Sequence, residues 1–116
     1  MPHLSIRIDF DHEGRLGPGK VALLERIARE GSISAAGRSM RMSYKRAWEL
    51  VSEINDSFSE KLVAAQTGGK AGGGAVLTAR GQELVRHYRE IERKALSATA
   101  GHLKALQAIT RRRGGA

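Results

Sequence analysis

From Thr78 to about Thr110 the chain has no proline, and Leu84, Tyr88, Ile91, Ala95, Ala98, His102, Ala105 and Ile109 recur at alternating spacings of four and three. That period marks one face of a helix of roughly thirty residues, about 45 Å long at 1.5 Å per residue. The sequence has 116 residues, enough for one compact domain, and such a domain is too small to cover so long an apolar stripe. The distal half of the helix therefore calls for a partner, and the near-heptad spacing points to a second copy of the same chain.

Upstream of that helix the pattern changes several times. Leu4, Ile6, Ile8 and Phe10 alternate with Ser5, Arg7 and Asp9, which predicts a strand with one buried face. Asp11 to Gly19 is turn-rich, and Pro18 stands where a first helical residue belongs. A helix should begin there, carry Val21, Leu24, Ile27 and Ala28 inward, and stop at Gly31. Ser32 or Ser34 can cap a short second helix through Ala35, Ala36, Gly37 and Met40. Ser43 can cap a third, with Ala47, Leu50, Val51, Ile54 and Phe58 on one face. Two short helices joined by a tight turn outline a helix-turn-helix. Leu62 to Ala65 and Ala75 to Thr78 then flank a glycine-rich segment, as in a β-hairpin with a long flexible tip. The predicted fold is mainly α with a small β-sheet, a winged helix-turn-helix over residues 1–77 whose wing spans 62–77. A long C-terminal dimerisation helix follows over 78–110, with a basic disordered tail at 111–116.

Charge narrows the choice of partner. Lys and Arg number 20 against 12 Asp and Glu, a net of +8, so a polyanion is expected: double-stranded DNA first, an anionic membrane surface second. The excess is local. Residues 15–46 hold eight basic side chains against Glu25 and Glu30, whereas residues 1–14 are net acidic. Without cysteine there are no disulfides, thiol chemistry or Cys-ligated metal sites. His3, His12, His87 and His102 lack paired-ligand spacing, and no GxSxG motif or apolar carboxylate pair offers a catalytic constellation. Neither a metal nor enzymatic activity is expected. No stretch reaches the length of a membrane span, and the N-terminus has no signal-peptide pattern, so a cytoplasmic, nucleoid-associated protein is expected.

On the third helix, stepping about 100° per residue from Ala47 points Lys45, Glu49 and Ser52 away from the core. Arg46 and Trp48 lie on the two flanks, and Tyr44 sits at the N-terminal end, which approaches base edges in helix-turn-helix docking. Ser43, Tyr44, Lys45 and Arg46 thus offer a hydroxyl, a phenol and two cations to phosphates and guanine edges. Glu49 either accepts from a cytosine amino group or holds Lys45 or Arg46 in place. Trp48 reads equally as a DNA contact or as boundary packing, and the two cations alternatively as a solvated helix face. The glycine loop fails the P-loop pattern, because Ala71 follows Lys70 and no glycine stands five positions before Gly69. Thr67, Gly68, Gly69 and Lys70 fit better as a wing tip on the DNA backbone or along the minor groove, the alternative being a loop that is merely mobile.

The stretch GSISAAGRSMRMSYKRAWELVSEIN (Gly31 to Asn55), followed by LVAAQTGGKAGGGAVLTARGQEL (Leu62 to Leu84), resembles the N-terminal DNA-binding domain of the ModE family of bacterial molybdate-responsive regulators. The SYK-AW element at Ser43 to Lys45 and Ala47-Trp48, and the TGGK-GGGAVLT wing at Thr67 to Thr78, carry the likeness. The GSIS-AA start at Gly31 to Ala36 is shared with LysR-type regulators. The resemblance implies a dimeric winged-helix protein that binds an operator and represses molybdate-uptake genes. Its third helix would lie in the major groove, with Ser43, Tyr44, Lys45 and Arg46 reading it and Thr67, Gly68, Gly69 and Lys70 in the wing. There are two departures. Arg41 occupies a turn position where helix-turn-helix proteins usually place Gly, which costs on the order of 1 kcal/mol if the residue is left-handed. The family also continues into molybdate-binding domains that nothing in this sequence matches, so no cofactor and no oxyanion sensing are expected of these residues. Two other functions fit the composition: an architectural protein binding DNA without sequence choice, and a protein-interaction module.

Overall fold

Pro18 begins α1 (Pro18–Glu30) at its first position, where a missing N–H costs nothing, and Gly31 ends it in the left-handed conformation, φ 79°, donating its N–H to the Ile27 carbonyl. The computed structural model describes residues 2–66 and 74–112. Ser32, not Ser34, caps α2 (Ile33–Ser39), its hydroxyl accepting from the Ala35 N–H at 3.0 Å. Ser43 caps α3 (Tyr44–Ser57) through the Arg46 N–H at 3.1 Å, and Thr78 caps α4 (Ala79–Ile109) through the Gly81 N–H at 3.1 Å. Each cap satisfies a donor that the helix itself cannot.

The sheet differs from the expectation. Only Ile8–Asp9 (β1) of the predicted strand enters a ladder, and its antiparallel partner is Arg15–Leu16 (β2), inside the segment read as turn. The reason is the short return. Phe10 donates to the Gly14 carbonyl at 3.1 Å, Gly14 turns the chain at φ 102°, and α1 starts two residues after β2, so no further backbone is available to pair. Leu4, Ile6 and Ile8 keep their alternate half-burial, while Phe10 is exposed and meets Phe58 edge-on at 5.5 Å. The second hairpin pairs Val63–Gln66 (β3) with Gly74–Leu77 (β4), Val63 opposite Leu77. There are thus two separate two-stranded sheets among the described residues where one small sheet was expected.

Leu23, Leu24, Ile27, Ile33, Ala36, Ala47, Val51, Ile54, Leu62 and Leu77 form the main core, between α1, α2, α3 and the wing strands. At about 1.5–3 kcal/mol per fully buried aliphatic side chain, this cluster dominates the fold's stability. Ala28 is exposed and Leu23 buried, reversing one position of the predicted α1 face. In contact with α2, α3, β4 and α4, α1 buries a stripe wider than its strict period. A satellite cluster of Leu16, Val21 and Tyr88 joins the first hairpin to α4, and the Tyr88 hydroxyl donates to the Ile6 carbonyl at 2.6 Å. Arg89 holds α4 against α1 by donating to both Glu25 carboxylate oxygens at 2.6 and 3.0 Å, and it also pairs with Glu92 at 2.6 Å. Beyond these residues α4 runs clear of the domain: Leu96 is 46% exposed, Leu106 61% and Ile109 78%. No helix among the described residues is long and apolar enough to cross a membrane.

Candidate nucleic-acid interface

The α2–α3 turn sets the geometry. Gly37 lets the two helices touch, because a Cβ there would stand 2.9 Å from that of Ala47. Its carbonyl then accepts from the N–H groups of both Met40 and Met42 at 3.0 Å, and between them Arg41 sits at φ 59°. The departure in the sequence is thus met by a left-handed arginine, at a backbone cost of about 1–2 kcal/mol relative to glycine. This closure directs α3 so that Ala47, Val51 and Ile54 are buried while Ser43, Tyr44, Lys45, Arg46, Trp48 and Glu49 are all exposed.

Tyr44 and Trp48 meet edge to face, centroids 6.2 Å apart. They form one wall of a 350 Å³ groove whose other walls are Ser32, which caps α2, Ser34 of α2, and Ala64, Ala65 and Gly74 of the wing strands. Trp48, left open between packing and contact, is 44% exposed on this groove. Glu49 makes no ion pair with Lys45 or Arg46, and neither cation has an acidic partner among the described residues. Thr67, Gly68, Gly69 and Lys70, assigned from sequence to the wing tip, lie outside the described residues, as do residues 113–116 of the tail.

One positioning residue escaped the sequence reading. Asn55, near the end of α3, accepts from the Leu62 and Val63 N–H groups at 2.9 and 3.1 Å and donates to the Val63 carbonyl at 3.1 Å. It ties the wing's first strand to the helix and so fixes the width of the groove between them. Its partners lie seven and eight residues further on, so no local sequence signal marks the role. The wing is anchored twice more: Ala75 donates to the Gly31 carbonyl at 2.9 Å, and the Thr78 hydroxyl donates to the Lys61 carbonyl at 2.7 Å. No group of three or more potential metal ligands occurs among the described residues.

Comparison with known proteins agrees with this architecture. Residues 19–82 match the family described as "Bacterial regulatory helix-turn-helix protein, lysR family". The chain is 51% identical over 78 residues to the molybdenum-pterin-binding protein MopB of Rhodobacter capsulatus, covering 67% of this chain and 29% of that protein. It is 44% identical over 81 residues to the DNA-binding transcriptional dual regulator ModE of Escherichia coli K12, covering 67% and 31%. Similarity to the molybdenum transport protein ModE of Azotobacter vinelandii is 37% over 103 residues, covering 89% and 38%. The chain thus spans about a third of the length of these curated relatives.

Proposed function

Because the chain belongs to the bacterial regulatory helix-turn-helix family of lysR type, we propose that it is a sequence-specific transcriptional regulator that binds an inverted-repeat operator as a homodimer and represses molybdate-transport or other molybdenum-related genes. The observation that carries this reading is the two-sidedness of the first turns of α3. Ala47 is fully buried, while Tyr44, Lys45 and Arg46 face solvent beside a groove and the two cations have no acidic partner among the described residues. In helix-turn-helix docking that end of the second helix meets base edges. Ser43 and Tyr44 donate to phosphates, Lys45 and Arg46 to guanine edges, and Glu49, which holds neither cation, accepts from a cytosine amino group. Trp48 presents its exposed edge to the same DNA. Thr67, Gly68, Gly69 and Lys70 lie on the backbone as the wing.

The molybdenum connection is drawn from the relatives' names, and repression from the resemblance carried by the α3 and wing motifs. Residues 1–77 are the reading unit, with α4 pairing the two copies so that half-sites fall about one helical turn, roughly 34 Å, apart. The protein works in the cytoplasm on the nucleoid, catalyses nothing and holds no cofactor in these residues. Titrating a molybdate-transport promoter fragment and a scrambled fragment at one salt concentration tests the reading, and equal affinities for the two would sink it. Lys45→Ala should lose about 1–3 kcal/mol on the promoter and relax its preference, whereas Lys70→Ala should weaken both fragments alike and lower the salt slope by about one. Identical behaviour of the two variants would contradict the division between helix and wing.

A further inference from the structure

Much of the charge between Arg15 and Arg46 lies off the groove-facing helix, and the fold gathers part of it on one flank of α3. A helix in the major groove, about 12 Å wide, is bordered by a phosphate backbone on each side. The Trp48 flank of α3 faces the wing. On the opposite flank, beside Arg46 and Leu50, a second concavity of 440 Å³ opens between α3, the first hairpin and the start of α1. Arg7, Arg15, Lys20 and Arg46 line it, brought from four separate positions in the chain. Two carboxylates stand near them: Asp9 pairs with Arg7 at 3.1 Å, and Glu53 lies 3.9 Å from the Lys20 ammonium, which also donates to the Arg15 carbonyl at 3.0 Å. Arg15 and Arg46 have no acidic partner among the described residues. Gly17, Pro18 and Gly19 on the rim put no long side chain across the opening.

We propose that this concavity receives a backbone phosphate of the DNA strand bordering α3, with Arg15 and Lys20 as its clamp and Arg46 shared between clamp and groove. The inference rests on the reading of α3 as the groove helix. Guanidinium forks match phosphate oxygens, and cations fixed on concave walls raise the local potential for an anion. Such a contact sets the register of the protein on the duplex and carries no base preference. It also gives the outward side of the first hairpin a task.

The test is the salt dependence of binding to the promoter and scrambled fragments for the wild type, Arg15→Gln, Lys20→Gln and the charge-preserving Arg15→Lys. Each Gln variant should flatten the slope of log K against log salt by about 0.9, so that affinity falls about 3.5-fold less between 50 and 200 mM than in the wild type. The flattening should be equal on both fragments, with the preference ratio unchanged, and Arg15→Lys should restore the slope. Ethylation interference should lose one phosphate position in Arg15→Gln. Unchanged slopes in both Gln variants, or a change in preference ratio, overturn the proposal. So does thermal stabilisation of the wild type by inorganic phosphate that Arg15→Gln abolishes while leaving the slope intact, since the site then serves a free anion. A wild type that binds neither fragment removes the reading of α3 together with this inference, whereas wild-type binding with unaltered variant slopes removes this inference alone.

Discussion

The two halves of α4 share one apolar period and have opposite surroundings. In the first half Leu84 and Val85 are half-buried and Tyr88 is 1% exposed, packed on the first hairpin and α1. In the second, Ala98, Ala105 and Ile109 of the same stripe are exposed, Ile109 at 78%, as are the neighbouring Leu96 and Leu106. Nothing in the local sequence distinguishes them, since both halves have good helix formers and neither has a proline. The period fixes which residues share a face; only tertiary contacts decide whether that face is already covered. A domain with a closed core thus carries a helix whose outer half is exposed among the described residues, as the pairing surface proposed above requires.

The contrast can be broken by substitution, beginning at the packed end. Tyr88→Ala removes the centre of the satellite cluster and the hydrogen bond to Ile6, and should cost about 3–5 kcal/mol in urea unfolding. A loss no larger than that of a surface change would mean that the proximal half is not anchored as described. Gly81→Ala should cost about 1–3 kcal/mol, because its Cβ would stand 2.3 Å from the Leu62 carbonyl oxygen, and backbone there has little room to give.

Glu25→Gln should cost less than about 1 kcal/mol, since both it and Arg89 are roughly two-fifths exposed. Its dependence on pH is set by sign. Hydrogen bonding from Arg89 holds the Glu25 carboxyl below its ordinary 4.5, against a smaller opposing effect of burial. The pair therefore stabilises fully above that value and is lost as pH falls through the lowered pKa. The wild type and Glu25→Gln should converge in stability at acid pH, and a gap that persists there would assign the effect to packing.

The smallest change in stability, within about 0.5 kcal/mol, is expected for Leu106→Lys with Ile109→Lys at protein concentrations where the chain is monomeric. The same double variant should abolish self-association in sedimentation experiments. An unaltered dimer would move the pairing surface off the distal half.

All four helices were legible in the sequence because their ends carry local chemistry. Pro18, Ser43 and Thr78 mark starts, and Gly31 marks a stop, which it makes in the left-handed conformation. The outward set on α3 followed from the same period. What was missed depends on contacts between distant segments. A two-residue strand such as β2 has no period to detect, and β1 was shortened by its partner's length. A strict helical stripe puts Ala28 inward and omits Leu23, because it does not anticipate contact with four other elements. Asn55 gained its role only when β3 came alongside α3. Likewise, Arg15 and Lys20 are only local charge in the sequence, and the fold alone puts them beside Arg46.

If α3 reads base sequence and α4 fixes the spacing of two such helices, hydroxyl-radical footprinting of the full chain on a molybdate-transport promoter should show both at once. Two protected patches related by an inverted repeat, their centres about one helical turn or 10–10.5 base pairs apart, are predicted. Uniform protection, or protection that shifts freely when the promoter sequence is scrambled, would contradict it.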